Sequence, residues 1–284
     1  MKYLVVLTLL FFAAPGFAHP GWGIVIDGKG NVFYTDLKQV WKVAPNGART
    51  VAVGNVHAHE LYLDSDGTLS GEHLWYDGTR GKWGHYIWEL TADGRTIRHV
   101  PREGFRTEVS FVRDQNGTMY WLDGARIMKR TVDGRVLQLA GIGRQLQAPG
   151  RAPGGILAVT RDGTVYVVSG GDLLRVTPDG RTLRLATGLD EHSWTSFMTQ
   201  PWHYVMGLAI DSDGNVYIAN AGARKVKKVA TGGKVTVVLQ SRFPWSPTGI
   251  AVRDRELYVL EYTDTGGSTR VRKVGADGHV TTFP

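Results

Sequence analysis

The sequence has no cysteine and little glutamate, and beyond its N-terminus it has no long hydrophobic run. Without cysteine the fold cannot rest on disulfide bonds. Of the 26 acidic residues, 18 are Asp and 8 are Glu. Because Glu favours helices and Asp favours turns, few helices are expected. These absences exclude a disulfide-stapled mini-protein and a membrane protein with several spanning helices.

The residues that are abundant favour a turn-rich β protein. The chain has 37 Gly among 284 residues, and 42% of its residues are hydrophobic while 21% are charged. That balance excludes a disordered chain, which combines low hydrophobicity with high charge. Glycine and aspartate together supply the turns that short strands need.

The first 18 residues have the pattern of a secretory signal peptide. A positive charge at Lys2 precedes an apolar run over 3–14, and small residues at Gly16 and Ala18 precede a cleavage site. The run has 12 residues, fewer than the ~20 that cross a bilayer. We therefore predict cleavage near Ala18 and a secreted or periplasmic protein without a membrane span.

One sequence repeat occurs six times after this segment. It begins with an apolar strand and a polar turn, as at 207–214, and continues with a second strand, as at 215–219. A third and a fourth strand follow, joined by a pair of turn residues at 46–47, 93–94, 133–134, 179–180, 232–233 and 277–278. Five of these pairs are Asn-Gly or Asp-Gly and one is Gly-Gly. They favour two-residue hairpin turns in which both residues take positive φ.

The length of this sequence repeat predicts the fold. The second glycines of the turn pairs lie 47, 40, 46, 53 and 45 residues apart, and four short strands per ~40–45 residues are typical of a propeller blade. We predict an all-β fold, a six-bladed β-propeller of four-stranded antiparallel blades, as one domain over 19–284. The blades are expected at about 20–53, 56–100, 104–139, 153–187, 204–239 and 247–283. Since each blade is contiguous, the ring must close by packing of the first blade against the last.

The phrase at 207–220, Gly-Leu-Ala-Ile-Asp-Ser-Asp-Gly-Asn-Val-Tyr-Ile-Ala-Asn, resembles the NHL repeat. The chain as a whole is similar to the NHL and SMP-30/gluconolactonase-like six-bladed propellers. The resemblance implies one of three activities: lactone hydrolysis, a lyase reaction, or ligand binding without catalysis. The lactonases of that family open their first blade with Glu, whereas this chain has Gly21-Trp22-Gly23 there, and fold alone does not select among these functions.

Histidines and carboxylates are expected at one mouth of the channel. His57 and His59 are two residues apart, so on a strand they face the same side and could bind one ion. The repeat places His73 and Glu261 at the end of second strands, where the other blades carry Asp36, Asp123, Ser169 and Asn220. The latter four fit turn-capping roles. We therefore predict His57, His59, His73 and Glu261 as ligands of a divalent metal, with Ca²⁺ or Zn²⁺ as alternatives.

If the protein is an enzyme, it needs a general base at the same mouth of the channel. Glu60 and Glu108 are the candidates, because partial burial can raise the pKa of a carboxylate toward neutrality. No Gly-x-Ser-x-Gly elbow, cysteine nucleophile, Walker loop or dinucleotide fingerprint is present, so no nucleotide cofactor is expected.

Aromatic residues in loops at the mouth favour a binding function over catalysis. Exposed aromatic rings offer flat faces to sugars and to peptide side chains. The ligand would be a small molecule, a glycan or a peptide, and the predicted contacts are Trp83, Trp194, Trp202, His203, Trp245 and Tyr262. The net charge of +7 lies largely on outer strands, so nucleic acid is not expected as a partner, and we expect a monomer.

Overall fold

The computed structural model describes residues 20–283 except 65, 92, 100–110, 115, 145–154, 194–203 and 264–266. The predicted signal peptide and the site residues Glu108, Trp194, Trp202 and His203 lie outside the described residues. Within that range the regular structure is entirely β, with six sheets of four antiparallel strands. The predicted fold class and blade number are confirmed. In the same range no helix has the length and hydropathy of a membrane span.

The first three blades occupy the N-terminal half of the chain. Blade 1 consists of β1 (Ile24–Ile26), β2 (Val32–Thr35), β3 (Gln39–Val43) and β4 (Arg49–Gly54). Blade 2 consists of β5 (Leu61–Leu63), β6 (Leu69–Asp77), β7 (Lys82–Leu90) and β8 (Thr96–His99). Blade 3 consists of β9 (Val112–Arg113), β10 (Met119–Asp123), β11 (Arg126–Arg130) and β12 (Val136–Gly141).

The remaining blades repeat the same order of strands. Blade 4 consists of β13 (Gly155–Val159), β14 (Val165–Ser169), β15 (Asp172–Val176) and β16 (Thr182–Ala186). Blade 5 consists of β17 (Val205–Ile210), β18 (Val216–Asn220), β19 (Lys225–Val229) and β20 (Val235–Gln240). Blade 6 consists of β21 (Trp245–Arg253), β22 (Glu256–Thr263), β23 (Thr269–Val274) and β24 (Val280–Phe283).

The ring closes by packing between blades 6 and 1, because no sheet contains strands of two blades. Ile24 and Tyr34 of blade 1 form one buried apolar cluster with Tyr258 and Leu260 of blade 6. The Arg253 guanidinium adds hydrogen bonds to the backbone carbonyls of Asp27 and Gly28, at 2.5 and 3.1 Å. Apolar burial is the main favourable term in such packing.

The turns between third and fourth strands differ from the prediction. At the first of them the amide of Gly47 donates to the carbonyl of Ala44 at 2.8 Å, and Gly47 takes φ +85° while Asn46 does not take a positive φ. This is a type I turn followed by a left-handed glycine, rather than a two-residue turn with two positive φ angles. At this turn Pro45 favours the observed geometry, because its ring fixes φ near −65°, the value required at the second position of a type I turn.

Blade 1 is lower than its two neighbours on the face where second strands end. Strand β2 has four residues, whereas β6 has nine and β22 has eight. At ~3.3 Å per residue, the five additional residues of β6 extend the second blade by ~16 Å. The space above blade 1, between the β6–β7 hairpin and the end of the β21–β22 pair that carries Trp245 and Thr263, is called the trough below. It adjoins the mouth of the central channel.

Candidate functional site

Two histidines lie side by side where the chain enters blade 2. The amide of Val56 donates to the carbonyl of Lys38 at 3.1 Å and the amide of Leu74 donates to the carbonyl of His57 at 3.0 Å, so the segment is held against both blades. The Nε2 atoms of His57 and His59 are 3.0 Å apart, with the rings edge to face. The two imidazoles thus lie together, although the segment that carries them is a connection between β4 and β5 rather than the strand on which the prediction relied.

Glu60 lies next to this pair and opens on the channel. A cavity of about 160 Å³ on the axis is lined by Glu60, Trp22 and residues from the inner strands of all six blades. The carboxylate accepts hydrogen bonds from Trp22 Nε1, at 3.1 Å, and from the Tyr62 hydroxyl. Trp22 also stacks on His59 with the ring centres 5.3 Å apart. Imidazole, indole, carboxylate and phenol therefore form one connected cluster.

Tyr62 joins this cluster to blade 3. Its hydroxyl lies 2.5 Å from the carbonyl oxygen of Phe111, and the two rings stack at 6.0 Å. Burial, and then the Glu60 carboxylate, raise the pKa of Tyr62 well above its usual value. The phenol is therefore neutral at physiological pH and acts as a hydrogen-bond donor.

A row of stacked side chains leads outward from the histidine pair across blade 2. His73 stacks on Tyr86 with centroids 4.7 Å apart, and the Arg98 guanidinium lies 3.7 Å from the Tyr86 centroid. The backbone amide of His57 donates to His73 Nδ1 at 2.9 Å. Burial, followed by the charges of His57 and Arg98, lowers the pKa of His73. His73 is thus a neutral ring with a preferred tautomer.

The four predicted metal ligands are not brought together. In the described part of the chain no group of three or more His, Cys, Asp or Glu is arranged to hold a metal ion. The Nε2 atoms of His57 and His59 are spaced close to the ~3.3 Å expected for two imidazoles on tetrahedral Zn²⁺. His73, however, uses Nδ1 as an acceptor, so Nε2 carries its proton. The residues described here supply two suitable nitrogens and no third ligand.

Glu261 lies in blade 6 and is engaged in ion pairs. Its carboxylate is fully buried and accepts hydrogen bonds from Ser241 Oγ at 2.5 Å and Arg270 Nε at 2.6 Å. Arg272 approaches it at 3.6 Å. These partners give Glu261 a structural environment that the repeat did not predict.

The predicted aromatic contacts divide into accessible and buried residues. Trp83 packs edge to face on Tyr76 at 5.5 Å, near the tip of the β6–β7 hairpin. The Arg270 guanidinium covers Trp245 at 4.1 Å. Tyr262 is 4% exposed, and its hydroxyl donates to the carbonyl of Thr35 at 2.7 Å. Burial raises the pKa of Tyr262, which packs between blades 6 and 1 and is not accessible to a ligand.

Sequence reasoning missed the side chain that dominates the wall of the trough. Trp75 is 39% exposed, and its indole lies over Gly84, where an added Cβ would come within 2.3 Å of the ring. Alternation of His73 and Trp75 along one strand was the available signal. The predicted second strand ends at His73, whereas β6 continues to Asp77.

Comparisons with known proteins establish the fold. No family model and no curated protein sequence matches the chain. A gluconolactonase from Xanthomonas campestris aligns at 14% identity and TM-score 0.56, covering 87% of this chain and 85% of its own. Virginiamycin B lyase from Staphylococcus aureus aligns at 15% and 0.53, covering 94% and 84%. An auxiliary nutrient binding protein from Bacteroides ovatus aligns at 14% and 0.59, covering 93% and 69%. At these identities the likeness shows a shared propeller fold.

Proposed function

We propose that the chain is an exported propeller that binds a small molecule, a glycan or a peptide in the trough above blade 1. The observation that carries the proposal is the β6–β7 hairpin, which rises beyond blade 1 and places Trp75, 39% exposed, on the face that borders the trough. Large aromatic rings left accessible beside a recess are typical of ligand sites. The structural likeness to a nutrient-binding protein supports a binding function.

Gly84 supports the view that the wall is built for contact. Its missing side chain lets the Trp75 indole lie flat across β7, because a Cβ there would overlap the ring. A flat, half-exposed indole offers one face to a partner ring, and such contacts contribute about 0.5–1.5 kcal/mol beyond area burial. The neighbouring His73–Tyr86 stack keeps this part of the hairpin ordered.

The test is a binding screen on the exported protein. Full-length chain is expressed, material outside the cytoplasm is collected, and its N-terminal sequence is expected to begin at His19. A defined panel of oligosaccharides and peptides is then screened by thermal shift. Trp75→Ala is expected to abolish the shift caused by the binding compound, because the indole is the main exposed ring of the wall.

Phe243→Ala is the matched control for that screen. Phe243 is 74% exposed but belongs to the connection between blades 5 and 6. Its loss should leave the shift unchanged. Equal losses in the two variants, or no shift with any compound of the panel, would contradict binding in the trough. A mature protein that retains its first 18 residues would contradict export.

A lactonase-like hydrolase or lyase is the second candidate. It is favoured by the position of Glu60, a carboxylate on the axial cavity with the His57–His59 pair beside it. Since the described residues supply two nitrogens and no third ligand for a metal, the chemistry is proposed for Glu60 alone. The carboxylate would accept the proton of a water that attacks the carbonyl of a lactone, and would return it to the ring oxygen as the acyl–oxygen bond of the lactone breaks.

Glu60→Gln is expected to slow hydrolysis of a six-membered lactone by ~10²-fold or more, the usual weight of a general base. Initial rates with δ-valerolactone, measured with and without Ca²⁺, Zn²⁺ or a chelator, provide the measurement. Glu89→Gln serves as the control, because Glu89 pairs with His99 on the far side of blade 2. A wild-type rate equal to that of buffer in every condition would overturn this candidate.

A further inference from the structure

The face of blade 2 that borders the trough can be assigned from strand register. Trp75 pairs with Gly84 and His73 pairs with Tyr86, so these four residues share a face. Leu69 and Trp88 belong to the same face and pack against blade 1. On the outer strand, Arg98 pairs with Trp88 and therefore shares that face as well. Its upper part carries Trp75, Tyr86, His73 and Arg98.

His73 can only donate a hydrogen bond to a ligand. Its Nδ1 accepts the backbone amide of His57 at 2.9 Å, so in the neutral ring the proton resides on Nε2. That N–H has no hydrogen-bond partner among the described residues and lies beside Trp75, with ring centres 5.9 Å apart. A ligand on the indole would therefore meet a donor next to it.

Arg98 adds a second set of donors. Its guanidinium stacks on Tyr86, which holds the planar group in place without using its N–H bonds. Within the described ranges no carboxylate pairs with it, and its side chain is exposed. A stacked guanidinium with unused donors recognises carboxylates through two parallel hydrogen bonds.

The acidic residues of blade 2 are directed elsewhere. Glu72 pairs with His85 and Glu89 with His99, both on the opposite face of the sheet. Asp77 shares the face of Trp75, but one of its oxygens accepts the backbone amides of Thr79 and Arg80. The wall thus combines an aromatic surface with hydrogen-bond donors and a positive charge.

We propose that the ligand of the trough is an acidic glycan, with a uronate sugar stacked on Trp75, a sugar hydroxyl accepting the N–H of His73, and the carboxylate bound by Arg98. The proposal rests on the binding function above and specifies its substrate class. A sugar ring matches the flat indole, and the carboxylate matches the donors. The net charge of +7 on the whole chain assists the approach of an anionic polymer.

The experiment compares an acid with its own ester. Trigalacturonate, its methyl ester and benzoate are titrated into the mature protein by calorimetry at low and moderate salt. Wild type is expected to bind trigalacturonate at least tenfold more tightly than the ester, because the ester cannot accept a charge-assisted bidentate bond. Added salt should weaken binding of the acid more than binding of the ester.

Variants assign that preference to residues. Arg98→Met keeps an unbranched side chain over Tyr86 and is expected to lose about tenfold in affinity for the acid, with the ester unaffected. Arg95→Met is the matched control, since Arg95 is exposed and pairs with Asp93 at the far end of the same blade. Trp75→Ala should weaken both sugars.

Three results would overturn the acidic-glycan proposal. The first is equal binding of acid and ester to wild type, the second is equal affinity of Arg98→Met and Arg95→Met, and the third is binding of benzoate as tightly as the sugar acid. Binding of another panel compound that depends on Trp75, without binding of trigalacturonate, would refute the substrate class while leaving a binding function. Failure of every compound would refute both.

Discussion

Replacing Glu261 by glutamine is expected to lower the free energy of unfolding by about 3 kcal/mol. The carboxylate is fully buried and lies against two guanidinium groups, Arg270 at 2.6 Å and Arg272 at 3.6 Å. Glutamine keeps the size of the side chain but removes its charge, which leaves two cations without a counter-charge. Because both arginines retain some contact with solvent, the loss is set at the lower end of the range for buried ion pairs.

Urea unfolding of the two proteins, followed by tryptophan fluorescence, measures this loss. Glu256→Gln is the matched control, since Glu256 pairs with Lys273 at 2.7 Å and both side chains are about one-third exposed. An exposed pair of this kind contributes less than about 1 kcal/mol. Equal destabilisation by the two substitutions would contradict a structural role for Glu261. A melting temperature that rises with Ca²⁺ or Zn²⁺ in the wild type but not in Glu261→Gln would also contradict it.

The propeller fold could be predicted from the sequence because each repeat encodes its own blade. Each blade contains its own four strands, and the turn glycines mark the period without any long-range information. Gly47 and its equivalents have φ angles near +85°, a region that favours glycine. The type of the turns between third and fourth strands could not be predicted, because Asn-Gly also occurs in type I turns followed by a left-handed glycine.

The candidate site could be predicted from the sequence only in part. The spacing of His57 and His59 predicts a shared side through strand geometry, but the two residues lie in the connection between β4 and β5, so strand alternation does not account for their proximity. The turn residues Asp77 and Gly78 mark the end of β6, but the repeat ends the predicted strand at His73, so Trp75 falls outside that strand. Similarly, the role of Glu261 depends on Arg270, which faces it from the neighbouring strand through register rather than through sequence proximity.

The place of Glu60 follows from the repeat once the backbone is known. Glu60 occupies the position that glycine holds at Gly23, Gly207 and Gly249 of other blades. A Cβ at Gly23 would lie 2.9 Å from the backbone of blade 2, and one at Gly207 would lie 2.6 Å from the carbonyl oxygen of Thr248 in blade 6. Glycine therefore permits close approach of successive inner strands. In blade 2 the position instead carries a side chain that opens on the channel cavity.

The tightest of these approaches closes the ring. A Cβ at Gly249 would lie 2.2 Å from the carbonyl oxygen of Trp22, which joins blade 6 to blade 1. Gly249→Ala is therefore expected to lower the free energy of unfolding by about 3 kcal/mol, because the added Cβ meets backbone rather than the flexible end of a side chain. Gly207→Ala, with a 2.6 Å approach, should cost less.

The control for this substitution is Gly232→Ala, in the turn between β19 and β20. An added Cβ there meets no atom within 4 Å and the residue does not have positive φ. Its effect should stay within about 0.5 kcal/mol, as for most surface changes. We expect the urea midpoints to fall in the order Gly232→Ala, Gly207→Ala, Gly249→Ala, from most to least stable. That order would show that an added Cβ is tolerated least at the junction of the first and last blades. A Gly249→Ala protein as stable as Gly232→Ala would show that this junction can open without loss, since no strand is shared across it.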